Sequence, residues 1–232
     1  MKLYVKVTLI VMAVCILVFA IKTLITEEPT QLTQGEDFIV ENESKIEIDY
    51  EEMLLPLRNS EMRKTPITHV MIHFISNIAE NPENPFLIEE IYQVLVEYGV
   101  STHYLIDREG RIYLLVEEDR VAYHAGPGHL VDFPEYDDHL NDYSIGIELM
   151  AIGTKKEMEE YIDEETYDNL DPSFIGFTDA QYEALQQLLE YIHERYPGIE
   201  RNRQHVIGHD EYAPERKNDP GSLFDWTLLY KE

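Results

Sequence analysis

A mixed α/β domain, with a central β-sheet flanked by helices, is the fold this sequence predicts. Three observations point to it. The stretches 67–76 and 144–150 are apolar at nearly every position, as strands buried on both faces are. The stretches 86–98 and 178–195 carry apolar residues at helical spacing. The two kinds alternate along the chain, which favours helices packed on a mixed sheet. A hydrophobic N-terminal segment precedes this unit.

In chain order, Lys2 and Lys6 come before an apolar run over 7–21 broken only by Thr8. A basic start followed by a hydrophobic stretch is the layout of an export signal or a membrane anchor, and 1–26 is assigned that role. The run falls short of the roughly 20 residues of a full span. Leu24 and Ile25 extend it if Lys22 snorkels, and Val18-Phe19-Ala20 offers a small-residue cleavage site. Anchor and cleaved signal both stay open, and either places the remainder outside the cytoplasm. A lipid anchor through Cys15 is disfavoured by the bulky Val14 before it. Cys15 is the single cysteine, so no disulfide within the chain can form.

Residues 27–50 turn acidic and lose apolar periodicity, which reads as a linker, with Ile46 and Ile48 adding a short edge strand. The folded domain is assigned to 51–232. The whole chain has 46 acidic against 18 basic residues, a formal charge of -28. That excludes a phosphate-binding footprint and therefore a nucleic-acid partner. It also disfavours docking on acidic lipid or acidic polymer through bulk charge.

Within the domain, period two along 67–76 puts His69, Met71, His73 and Ile75 on one face, and Val70, Ile72 and Phe74 on the other. After the turn-rich 81–85 comes the helix over 86–98, with Gly99 where a helix ends. Strands over 102–107 and 111–116 form a hairpin around Gly110. Small residues in Ala122-Tyr123-His124-Ala125-Gly126 suit a close backbone approach. The strand over 144–150 embeds one charge, Glu148, whose burial needs a partner, an ion pair with a neighbouring Arg or Lys included. Residues 153–177 form an acidic surface excursion, partly helical. Thr178 and Gln181 have capping-box spacing at the start of the last long helix, which ends near Tyr196. A short strand over 204–208 then delivers the loop from His209 to Asp219.

Three residues are candidates for one metal centre: His73 at a strand end, His209 after a strand, and Asp219 in the loop. A strand histidine taken alone is more often a satisfied core residue. Two imidazoles and a carboxylate with an open position make a catalytic-type zinc site, and a four-cysteine structural site is excluded. Pro214 and Pro220 stiffen the loop that must close His209 onto Asp219. Lys217 between them cannot bind metal while protonated.

Taken together these stretches resemble the zinc-dependent N-acetylmuramoyl-L-alanine amidases of the type-2 amidase group, which share a fold with peptidoglycan-recognition proteins and phage amidase lysozymes. The resemblance covers 66–226. It is carried by Val70-Met71-Ile72-His73, by Val100-Ser101-Thr102-His103-Tyr104 through Gly110, by Ala122-Tyr123-His124-Ala125-Gly126, by Asn141 through Glu148, and by the His209 loop running on to Phe224-Asp225-Trp226. It implies that His73, His209 and Asp219 bind Zn2+, that Glu148 is the catalytic glutamate, and that Lys217 assists the reaction. The implied reaction is hydrolysis of the amide between N-acetylmuramic acid and L-alanine in peptidoglycan or muropeptides. His103, Tyr123, His124 and Asn141 are candidates to line the substrate groove, His103 and His124 alternatively to support the ligands from behind, with Tyr123 standing where many relatives carry Trp. His69 and His205 share the periodicity of the ligands and are assigned roles in supporting the ligands or in the structure. The competing readings are a peptidoglycan-binding module of this fold without turnover, and a metal-dependent amide hydrolase with another substrate. A monomer is expected, at the membrane or secreted to the cell wall.

Overall fold

The structure, a computed structural model, describes residues 46–229. The hydrophobic segment 1–26 and nearly all of the linker 27–50 lie outside the described residues. Strand β3 (His69–Ile75) runs through the middle of a six-stranded sheet. On one side of it lies β7 (Ser144–Met150), on the other β8 (Val206–Gly208), both parallel to it. Beyond β7, β4 (Tyr104–Ile106) is again parallel, β5 (Ile112–Leu114) turns back antiparallel, and β1 (Glu51–Glu52) closes the edge parallel to β5. The sheet is therefore mixed, and four parallel strands, β8, β3, β7 and β4, point their C-terminal ends the same way, where ligand crevices of such sheets form.

Both faces are covered because the strands are apolar on both faces. Val70, Ile72, Ile145 and Ile147 meet Leu185, Leu188 and Ile192 of the long helix α4 (Asp179–Arg195). On the opposite face, Leu105, Leu115 and Met150 meet Ile91 and Leu95 of α1 (Ile88–Tyr98). A fully buried side chain of this size contributes roughly 1.5–3 kcal/mol, so the longer buried row of α4 fastens it more firmly than the two residues of α1 do. The Thr178–Gln181 capping box forms as the spacing predicts, and Gly99 at φ 66° ends α1.

Three features differ from expectation. The edge strand is Glu51–Glu52, not Ile46 and Ile48, because Ile48 packs its side chain on the core and the Ile46 amide donates to Glu194 Oε2 instead of joining a ladder. A second, two-stranded sheet pairs β2 (Ser60–Met62) with β6 (Arg120–Ala122). Next to it Arg63 is buried and donates to the carbonyls of Glu118, Arg120, Asp142 and Ser144, which ties two loops to the sheet. Burial lowers its pKa to about 10, so it stays charged. Finally, 153–177 is more than a surface excursion. It folds into α2 (Lys155–Met158) and α3 (Glu164–Asp168), and Met158 and Leu170 build a small core with Ile78 and Ile152. Among the described residues no helix is long and apolar enough to cross a membrane.

Candidate metal centre and active site

The C-terminal ends of β3, β7 and β8 deliver the site. His73 and Glu148 face each other across the β3–β7 register, so period two places both on the same face of the sheet. His209 opens the short helix α5 (His209–Tyr212) directly after β8, where a loop was expected. Glu211 starts that helix by accepting from the Gly208 amide at 2.6 Å. The Asp219 carbonyl accepts from the Asp210 amide at 2.8 Å, which folds the loop back beneath His209.

Ligand atoms of His73, His209 and Asp219 lie within 4.8 Å of one another. Asp219 Oδ2 is 2.7 Å from His73 Nδ1 and 3.1 Å from His209 Nδ1. Whether those contacts suit a cation depends on where the protons sit, and the surrounding hydrogen bonds decide it. His209 Nε2 faces the Ala125 carbonyl at 2.8 Å and must carry the proton there, which leaves Nδ1 a bare acceptor. His73 is settled by a longer relay. The Ser144 hydroxyl donates to the Leu140 carbonyl at 2.6 Å, so its oxygen accepts from His124 Nε2 at 3.2 Å. His124 Nδ1 then accepts from His73 Nε2 at 3.1 Å, and His73 Nδ1 is bare as well. Burial keeps the His73 and His124 rings neutral: it lowers His73 to about 4 and lowers His124 well below 6.5, with help at His124 from His73 and His103.

Two imidazole lone pairs and a carboxylate therefore converge with no proton between them. Such a set repels itself unless a cation is shared, and neutral histidines anchored through their outer nitrogens are the usual supports of a metal. The residues fit a zinc ion with an open position.

Glu148 differs from the other deeply placed glutamate. Glu118 accepts from Tyr104 and Tyr196 hydroxyls, both at 2.8 Å, and from Arg195 at 3.0 Å. Among the described residues Glu148 makes no ion pair, and its Oε2 is buried with no partner. Glu148 is half-buried and lines a cavity of about 380 Å³. Burial, then the charge of Asp219, raises its pKa well above 4.5, and Lys217 opposes them. A carboxyl of this kind is suited to taking and giving protons near neutral pH.

His73, Glu148, His209, Lys217 and Asp219 all line that cavity, as do Tyr123 and His124. The other two groove candidates do not. His103 is fully buried, accepts from the Gly146 amide and faces the Arg120 carbonyl, so substrate cannot reach it. Asn141 Oδ1 accepts from the His124 and Ala125 amides at 2.9 and 2.8 Å and so fixes the backbone of this wall. Three contributors were not singled out from the sequence. Ser144 ends the histidine relay. Arg216 donates to the Ala125 and Pro127 carbonyls at 2.8 and 2.7 Å. Gly146 leaves room for the His124 ring, since a Cβ there would come within 2.6 Å of it. A small residue inside a buried strand was the only signal for that last one.

Comparison with known proteins bears on what such a site does. A family profile described as N-acetylmuramoyl-L-alanine amidase matches residues 63–222. The 1,6-anhydro-N-acetylmuramyl-L-alanine amidase AmpD of Haemophilus influenzae is 38% identical over 137 residues, which are 59% of this chain and 58% of that protein. The N-acetylmuramoyl-L-alanine amidase AmiD of Escherichia coli is 34% identical over 145 residues, 60% of this chain and 46% of that one. The chain thus spans less than two thirds of these relatives' lengths. An AmpD crystal structure superposes with a TM-score of 0.55 at 27% identity, covering 79% of this chain and 93% of that chain. The E. coli AmiD structure, solved with anhydro-N-acetylmuramic acid-L-Ala-D-gamma-Glu-L-Lys as substrate, gives 0.51 at 31% identity, covering 70% and 56%.

Proposed function

The chain belongs to the N-acetylmuramoyl-L-alanine amidase family of the type-2 group, and from that premise we propose that it hydrolyses the amide between N-acetylmuramic acid and L-alanine in muropeptides or peptidoglycan, with zinc held by His73, His209 and Asp219. The observation that carries the proposal is the pair of bare Nδ1 atoms facing one Asp219 oxygen, with the unpartnered Glu148 carboxylate one strand away. A zinc ion there would polarise the amide carbonyl and acidify the attacking water.

The chain's own groups perform the remaining work. Glu148 takes the proton of the attacking water at its carboxylate and passes it to the leaving amine of L-alanine. Its raised pKa suits the first half of that task, because a stronger base takes the proton of water more readily, and the leaving amine is a stronger base still and so receives it. Lys217 lines the same cavity and offers a positive charge to the oxyanion of the tetrahedral intermediate, a role worth roughly 3 kcal/mol for one donor elsewhere. Tyr123 and His124 on one side, and Val94 and Tyr98 of α1 on another, offer apolar surface to hold the substrate. The basic start and apolar run of 1–26 support a place outside the cytoplasm, anchored or secreted, with the domain acting as a monomer; fractionation and sedimentation of the full chain test those points.

The deciding experiment is digestion of purified muropeptides and intact peptidoglycan with mass analysis of the products. Free stem peptide with an L-alanine amino terminus is expected, lost on chelation and restored by Zn2+. Glu148→Ala is expected to keep zinc and lose about 10²–10⁴-fold in turnover. Release of stem peptide after thorough metal removal would sink the proposal, and loss of metal from Glu148→Ala would make that residue a ligand.

A further inference from the structure

The segment 153–177 is tied to the metal loop through one residue, Glu157. Glu157 Oε1 accepts from both the amide and the hydroxyl of Ser222, at 2.8 and 2.9 Å. The backbone carbonyl of Glu157 accepts from Asn218 Nδ2 at 2.9 Å. Asn218 and Ser222 bracket Asp219, so a single residue grips the metal loop on both sides of its ligand. The fit is close, since a Cβ on Gly221 would fall 2.9 Å from Glu157 Oε1. The other carboxylate oxygen, Oε2, accepts from the Thr154 amide at 2.6 Å and closes the capping box of α2. The post to which the loop is tied is itself anchored, because Met158 is buried with Ile78, Ile152 and Leu170. Met158 and Tyr161 of the same segment line the cavity.

We propose that Glu157 is a positioning residue for the metal centre: it fixes the loop carrying Lys217 and Asp219 against the 153–177 segment, so that this acidic segment is a working wall of the site. The inference rests on the reading of His73, His209 and Asp219 as a zinc triad. A loop that carries one ligand on five exposed or half-buried residues loses entropy on binding a metal, and a latch that orders it beforehand removes that cost. The Glu157 carboxylate's contacts with Ser222, 65 positions away in sequence, tie the loop to α2 on the C-terminal side of Asp219, while the Arg216 bonds to the Ala125 and Pro127 carbonyls hold it on the other.

The test is Zn2+ affinity of the full chain, measured by competition with a chromophoric chelator, beside the melting temperature of the metal-free protein. Glu157→Ala is expected to weaken Zn2+ binding by about tenfold or more, the range of residues that support ligands, with the metal-free melting temperature little changed. Glu157→Gln keeps an oxygen for Ser222 and is expected to recover affinity to within about threefold. Thr154→Ala loosens the cap of α2 without touching Ser222, and is expected to bind Zn2+ as the native chain does. Wild-type affinity in Glu157→Ala, or a loss in Thr154→Ala as large as in Glu157→Ala, would overturn the proposal. Should Glu157→Ala not fold, Ser222→Ala removes one of the two contacts from the other side and is expected to cost about threefold; unchanged affinity there would overturn it equally. A native chain that binds no Zn2+ would fell the triad reading instead, and one that binds Zn2+ without hydrolysing muropeptides would fell only the proposed reaction.

Discussion

His69 and His73 sit on the same face of β3, both buried, both lowered to about 4 with burial as the main cause. Yet the two ends of the strand are built for different purposes. Around His69 lie rings: His205 stacks on it at 5.2 Å, and Phe133 and Tyr136 meet it edge-on at 4.9 and 5.2 Å. Thr68 Oγ1 is 2.8 Å from its Nδ1, while among the described residues Nε2 has no hydrogen-bond partner. Around His73 every ring nitrogen has a polar neighbour, and those neighbours assign each proton. Burial and a depressed pKa are thus common to a packing histidine and a metal-site histidine. What separates them is a carboxylate facing a lone pair that a relay has stripped of its proton.

The sharpest way to break this comparison is to exchange the losses. His73→Ala is expected to abolish measurable Zn2+ binding, because it removes one of three ligands. His69→Phe, which keeps a ring among rings, is expected to bind Zn2+ and turn over muropeptide within about threefold of the native chain. Loss of zinc from His69→Phe would mean that the two ends of β3 are not independent. The measurement is metal content after gel filtration, with activity beside it.

Periodicity alone put both histidines on one face without separating them, for a physical reason; the family resemblance singled out His73 as the ligand. Period two follows from local backbone geometry and is written in the residues themselves. The strands 144–150 and 67–76, the capped helix at Thr178 and the hairpin at Gly110 were legible on the same ground. Glu148 stood out as one charge among apolar neighbours. The relay that separates His73 from His69 runs through Ser144 and His124, which no local pattern connects. The β2–β6 pair escaped notice because three-residue strands bearing Glu61 and Arg120 carry no apolar alternation. The role of 153–177 was hidden for a similar reason: its acidic composition reads as solvated surface, while its grip on the metal loop depends on one carboxylate meeting Ser222 across the fold. His103 was placed in the groove on its motif alone, and burial behind β6 removes it from there.

A milder perturbation acts on the relay itself. Ser144→Ala removes the acceptor that holds the His124 proton on Nε2. His124 can then adopt the other tautomer, and His73 no longer has a reason to keep Nδ1 bare. Zn2+ affinity is expected to fall by about 10-fold, at the low end for groups that orient a ligand's outer nitrogen, while the fold is retained because the lost side chain is small. Competition with a chelator measures it. An unchanged affinity would mean that the metal alone sets the tautomer and the relay is incidental.

The smallest expected effect is at the other end of the strand, and it concerns stability. The His69 pKa is lowered from 6.5 to about 4, first by burial and then by the nearby His205. The unfolded chain therefore binds the proton more readily than the folded one between those two values. Stability tied to His69 is fully present above pH 6.5, declines as pH falls toward 4, and levels off below that. The shift sets an upper bound of about 3 kcal/mol on the decline, and the exposed edge of His205 lets water soften it. Other buried histidines, His73, His103 and His124 among them, add slopes of the same sign, so the informative quantity is the difference between two chains. In metal-free protein, His69→Phe is expected to lose less stability than the native chain between pH 7 and pH 5, as read from urea midpoints. Parallel curves would mean that the aromatic cluster accepts a proton without strain, and that the lone Nε2 finds a partner once charged.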